Sequence, residues 1–316
     1  MPTPPPFDPE VGYALATRDD VVTGLADDEI PALRTRSIRP DAEALSLDGE
    51  LEVRVLRADL TGRESVEIVL LRPTEAAAPV PVLYHVHGGG LVVGTPYDDL
   101  PAVARWASAA GFAVAAVDYR LAPEHPYPAA VEDVYTGLVW LAGEAPSLGL
   151  DPQRIVVGGV SAGGGLAAAV TLLSRDRRGP VPAGQMLLCP MLDDRNESAS
   201  SLQMAGIGAW DRGANATAWR AYLAGIDPVP AYAAPARADD LSGLPPTFVD
   251  VGSAETFRDE DVDYARRIWA AGGDAELHVW PGGAHGFDAL VPEAQLSRAS
   301  LRARTDWLRR LLARLG

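Results

Sequence analysis

The residues of this chain that could do chemistry start at one serine. Gly159-Val160-Ser161-Ala162-Gly163 follows the apolar run Ile155-Val156-Val157 and leads into the small residues Gly164–Ala169. A G-x-S-x-G between a strand and a helix turns so sharply that the serine backbone is strained, and its hydroxyl is pushed into the open. Side chains two residues to either side would strike the neighbouring strand and helix, so glycine is required there. With 31 glycines in 316 residues, the bare pattern would arise by chance in about one such chain in eight. The strand before it and the helix after it carry the specificity. The chemistry they predict is nucleophilic attack by Ser161 on a carbonyl.

A serine nucleophile needs a base, and the base needs an orienting acid. Five histidines are present: His85, His87, His125, His278 and His285. His278 alternates within a strand-like run and His125 sits in a proline-rich loop. His285 follows the last apolar strand, in Pro281-Gly282-Gly283-Ala284-His285-Gly286-Phe287. Loops at the carboxyl ends of parallel strands carry ligands and chemistry, so His285 is the expected base. The acid should follow the preceding strand, in Gly252-Ser253-Ala254-Glu255-Thr256-Phe257-Arg258-Asp259. Glu255 comes first there. Asp259 is the rival, and otherwise a helix N-cap or a carboxylate standing behind the reacting groups.

An attacked carbonyl also needs donors for its developing oxyanion. His87-Gly88-Gly89-Gly90 comes directly after the apolar run Val80–Val86. Three glycines leave the N–H groups bare, so an oxygen can approach them. The expected donors are Gly89, Gly90 and Ala162. Gly88 shapes the turn, and His87 stands behind the loop. Leu91, Val92 and Phe287 are candidate pocket walls. Further along the chain, Leu202, Met204, Ile207, Trp210 and Trp219 are candidates too.

Together with Asp118-Tyr119-Arg120-Leu121-Ala122-Pro123-Glu124-His125-Pro126-Tyr127-Pro128-Ala129, these motifs resemble the hormone-sensitive-lipase family of bacterial esterases (family IV carboxylesterases) over about residues 50–316. The resemblance implies an α/β-hydrolase fold with a helical cap, no cofactor, no metal, and hydrolysis of short-to-medium acyl esters. It also raises a homodimer through the sheet edge near the last strand. Two departures stand out. The family usually has Asp where this chain has Val160, and Asp where it has Glu255. An amide or aryl-formamide hydrolase would use the same triad. A ligand-binding protein on the hydrolase fold is the other alternative, and such proteins tend to lose the histidine that this chain keeps.

The elements that must position these residues are readable in outline. Two strands over Leu51–Ala58 and Val66–Arg72 form a hairpin. Strands are then expected at Val80–Val86, Phe112–Val117, Arg154–Val160, Gly184–Leu188, Thr247–Val251 and Ala275–Trp280. Helices are expected around Pro9–Leu25, Ala102–Ala110 (capped by Asp98 or Asp99), Ala129–Ala142, Leu166–Ser174, Asp261–Ala271 and Pro292–Leu315. Alternating strands and helices mean an α/β chain with a mostly parallel sheet covered on both faces. The division expected is an N-terminal cap segment (1–45), a core in two parts (46–192 and 236–316), and a cap insertion (193–235).

Composition bounds the partners. Hydrophobic residues make up 47% and charged residues 22%, a soluble globular balance. The net charge of −16 argues against nucleic acid and anionic membranes. No apolar run reaches the roughly 20 residues of a membrane span. The N-terminus lacks a basic segment followed by an apolar one, and Cys189 is a lone cysteine. A cytoplasmic enzyme with a small-molecule ester substrate is the expectation.

Overall fold

The computed structural model describes residues 3–315. The N-terminal segment holds three short helices, α1 (Pro9–Thr17), α2 (Ile30–Arg34) and α3 (Ala42–Leu45). Asp8 caps α1 by accepting from the Glu10 and Val11 N–H groups. The helix stops at Thr17 instead of running to Leu25, because Val22 and Thr23 give their backbone oxygens to the insertion: Trp210 N bonds Val22 O (2.7 Å) and Asp211 N bonds Thr23 O (2.8 Å).

The hairpin β1 (Leu51–Ala58) and β2 (Val66–Pro73) comes next, followed by β3 (Val80–Val86), α4 (Leu100–Ala109), β4 (Ala113–Asp118) and α5 (Ala129–Glu144). The nucleophile unit is β5 (Leu150–Val160) and α6 (Ala162–Arg177), followed by β6 (Gly184–Leu188). The insertion contributes α7 (Ala199–Gln203) and α8 (Arg212–Leu223). The chain ends with β7 (Thr247–Gly252), α9 (Arg258–Ala270), β8 (Ala275–Trp280), α10 (Phe287–Leu290) and α11 (Gln295–Arg314).

The eight strands form one sheet in the order β1-β2-β4-β3-β5-β6-β7-β8. β1 and β2 are antiparallel to their neighbours and β3 to β8 run parallel. Side chains alternate between faces. Along β3, Val82, Tyr84 and Val86 enter the cluster that holds Leu138 of α5 and Leu166 of α6. Leu83 enters the opposite cluster, with Trp106 of α4 and Trp307 of α11. Burial on both faces explains why these strands read as continuous apolar runs.

α6 begins four residues before the expected Leu166. Glycines argue against a helix by propensity, but here they let it pack closely. A Cβ on Gly163 would lie 2.1 Å from Val86 O, and one on Gly165 would lie 2.1 Å from Met191 O. Close approach overrides propensity at that end.

Candidate active site

The β5–α6 turn places Ser161 at φ +56°, ψ −122°, outside the helical and extended regions. The two glycines of the motif permit it. A Cβ on Gly159 would come within 2.3 Å of Gly163 O, and one on Gly163 within 2.3 Å of His87 O. The strain holds the Ser161 hydroxyl 2.8 Å from His285 Nε2. His285 Nδ1 lies 3.1 Å from Glu255 Oε1. With the proton on Nδ1 facing the carboxylate, Nε2 accepts from the serine.

Glu255 is buried, and both its oxygens are used. Oε2 accepts from Gly252 N at 3.1 Å. The carboxylate folds back on the end of β7 while its other oxygen faces the histidine. Phe257 packs edge-on against the imidazole, with ring centres 5.0 Å apart. The two loops are tied from below by Arg304 of α11. Its guanidinium binds Asp250 of β7 (2.9 Å) and Asp288 of α10 (2.5 Å), and it is 4% exposed.

The N–H groups of Gly89, Gly90 and Ala162 donate to no protein acceptor among the described residues. Gly89 (φ +113°) and Gly90 (φ +60°) have backbone conformations suited to glycine. Gly88 is held against Val160 and Ser161, at 3.2 and 3.5 Å from where its Cβ would be. His87 is buried behind the loop, where Nδ1 donates to Gly88 O (2.7 Å) and the ring stacks on Tyr119 at 4.1 Å. Burial pushes its pKa down, so it serves as a neutral brace. The 118–129 motif has a mechanical part that the sequence did not disclose. Ala122 N donates to Leu91 O (2.9 Å), and Tyr119 donates to His87 O (3.0 Å). Arg34 reaches in to bond both Val92 O and Ala122 O.

Over Ser161 lies a cleft of about 330 Å³, lined by Gly89, Gly90, Trp210, His285 and Leu290 and by Arg18, Asp20, Val21 and Val22 of the N-terminal segment. Of the expected pocket walls, Trp210 is the one that lines it. Leu91 and Val92 turn down into the core, where the loop needs an apolar anchor. Phe287 is buried with Val11 and Ala284. Met204 is buried beside Gly208, and Trp219 packs in the core, while Leu202 and Ile207 face solvent. Asp259 is not the N-cap of α9, a position held by Phe257. Its carboxylate instead accepts from Ser200 N (2.8 Å) and pairs with Arg258, away from the reacting groups. The lining from Arg18–Val22 had no local signal, because long-range bonds place it: Val22 O accepts from Trp210 N, and Arg18 Nη1 donates to Leu290 O.

Among the described residues, Cys189, Glu255 and His285 are the one set of three potential metal ligands whose atoms lie within 4.8 Å of one another. Two of them are bonded to each other, and burial pushes the Cys189 thiol up, so it stays protonated and a poor ligand. No helix among the described residues is long and apolar enough to cross a membrane.

A strained serine at the carboxyl end of a parallel sheet, bonded to a histidine that is bonded to a carboxylate, defines a serine hydrolase of the α/β-hydrolase kind. Residues 83–289 match the family model for the alpha/beta hydrolase fold. Carboxylesterase NlhH of Mycobacterium tuberculosis is 33% identical over 298 residues, 92% of each chain. Carboxylic ester hydrolase LipN of the same organism is 35% identical, covering 98% of this chain and 84% of LipN. A solved structure of a bacterial heroin esterase superposes with a TM-score of 0.87 at 38% identity, covering 97% of this chain and 98% of that one. The chain belongs to the α/β-hydrolase family, in its hormone-sensitive-lipase-like branch. It is a carboxylic ester hydrolase of the serine type.

Proposed function

We propose that this enzyme cleaves short-to-medium acyl esters with Ser161 as nucleophile, His285 as base and Glu255 as orienting acid. His285 takes the hydroxyl proton as Ser161 Oγ attacks the ester carbonyl. Glu255 fixes the imidazole tautomer and stabilises the imidazolium. The N–H groups of Gly89, Gly90 and Ala162 receive the oxyanion, the last of them at the positive end of α6. His285 then protonates the departing alcohol, and water repeats the sequence on the acyl-enzyme.

One observation carries this reading: the Ser161–His285–Glu255 chain, at 2.8 and 3.1 Å, faces bare backbone donors in a small cleft. Arg18, Asp20, Val21 and Val22 border the cleft together with Ala209 and Trp210, and in this reading the segments they belong to, 1–45 and 193–235, act as one cap. A soluble cytoplasmic enzyme pairing with a second copy through the free edge of β8 completes it; the absence of any disulfide partner for Cys189 is consistent with that compartment.

The test is hydrolysis of p-nitrophenyl esters from acetate to palmitate, with a matched anilide alongside. Activity should peak among the shorter esters and fall at least about 10⁴-fold in Ser161→Ala. An anilide turned over faster than its ester would move the reading to amides. A fully active Ser161→Ala would overturn the nucleophile.

A further inference from the structure

Arg18 stands between two cavities. One is the cleft over Ser161, about 330 Å³, which Arg18 and Leu290 both line. The other is a groove of about 580 Å³ on the far side of the same two residues, between α1 and the chain that follows α10. Its walls are mainly apolar: Pro9, Tyr13, Ala14, Val291 and Pro292. Tyr13 is 71% exposed there. Neither Ser161 nor His285 reaches this groove, so the site described above does not account for it.

Arg18 and Leu290 form the wall between cleft and groove, and Arg18 is its charged, movable part. Arg18 Nη1 donates to Leu290 O at 2.8 Å, which links the end of α1 to the helix that follows His285. Its Nε and Nη2 bind Asp20 at 2.9 and 2.5 Å. The Arg18 side chain is 44% exposed. Swinging it into water therefore costs one backbone hydrogen bond, because Asp20 is itself exposed and can follow. With Arg18 displaced, only Leu290 is left of the residues that border both cleft and groove. An apolar concavity of this size next to a reacting serine fits a hydrocarbon tail.

We infer that the groove is a subsite for the apolar tail of an ester, and that Arg18, by closing it off, sets the length of ester the enzyme takes. The inference rests on the esterase reading. Two pairs of substrates separate the ends of the ester: p-nitrophenyl decanoate against p-nitrophenyl acetate varies the acyl chain, and decyl acetate against ethyl acetate varies the alcohol. In Arg18→Ala the long-to-short ratio of kcat/KM should rise about tenfold or more in one pair, as several methylenes gain apolar contact. The pair that moves identifies the end of the ester that enters. Adding Thr17→Trp, which places an indole on the groove wall, should return the ratio toward the parent value. A ratio within about twofold of the parent in both pairs, with the short esters still turned over, overturns the partition alone. So does a gain that survives Thr17→Trp. A parent that hydrolyses none of the four esters overturns the esterase reading and the inference with it.

Discussion

The floor and the roof of the cleft are built by different means. In the floor, glycines at 89, 159, 163 and 165 bring backbone segments so close that side chains would collide with carbonyl oxygens. Missing Cβ atoms would sit 2.0 Å from Val93 O at Gly89 and 2.1 Å from Val86 O at Gly163. Geometry there is set by repulsion and has little freedom. The roof is tied on by separate hydrogen bonds: Trp210 N to Val22 O, Asp211 N to Thr23 O, Thr256 Oγ1 to Trp210 O, and Arg18 to Leu290 O. Each is worth about 1 kcal/mol net. The difference teaches that the reacting groups sit on a floor with little freedom, under a roof that a few separate bonds hold.

The sharpest way to break that division is at the acid. Glu255→Gln keeps the shape but removes the charge that stabilises the imidazolium, and its amide can impose the wrong tautomer. We expect kcat to fall about 10³- to 10⁴-fold with KM within about threefold. Glu255→Asp should retain more activity than Gln, because the charge remains. If Gln is no worse than Asp, the acid does not act through the histidine. A roof change should do the reverse. Asp211 caps α8 by accepting from Ala214 N (2.8 Å) and also holds Gly206 N (2.8 Å). Asp211→Ala orphans two donors beside Trp210 and should cost about 1–2 kcal/mol of stability. Steady-state kinetics should show KM raised about fivefold with kcat nearly kept. A kcat that falls as far as KM rises would mean that roof and floor are not separable.

The same division governs what could be read from sequence. Floor residues carry local signatures because their constraints are local: a glycine where a Cβ would strike a carbonyl, a histidine just past a buried strand. β6 begins and ends at the expected Gly184 and Leu188, with every residue buried, and β8 matches the alternating run Ala275–Trp280. Ser161, His285 and Glu255 come together as their places at strand ends required. Roof residues carry no such mark. Val22 is held by a backbone bond to Trp210 and Arg18 by its side chain on Leu290 O, and no periodicity announces either bond. Leu91, Val92 and Phe287 were expected as walls because they neighbour reacting residues. Adjacency along the chain does not fix which way a side chain points, and all three turn into the core.

The smallest expected effect concerns whether α9 serves the site or only the fold. Glu260 accepts from Leu192 N (2.8 Å) and Asp193 N (3.0 Å), so it ties the start of the insertion to the floor. Its neighbour Asp261 is fully buried, and neither oxygen has a hydrogen-bond partner among the described residues. Burial pushes Asp261 well above the usual carboxylate range, and the charges of Glu260, Glu255 and Asp250 push the same way. A carboxyl raised in the folded state binds its proton more tightly there than in the unfolded chain. The native state is then favoured less as pH rises from the unfolded value of about 4 towards the folded one. Asp261→Asn keeps the shape and removes that dependence. Its melting temperature should exceed the parent's by about 2 °C or more at pH 8, and the gain should shrink towards pH 5. Ester turnover at pH 8 should stay within about twofold, since Asp261 bonds to no member of the triad. A gain of the same size at both pH values would show that Asp261 is not the titrating group. A large loss of turnover would move α9 from the fold into the site, and the boundary between floor and support would have to be redrawn through it.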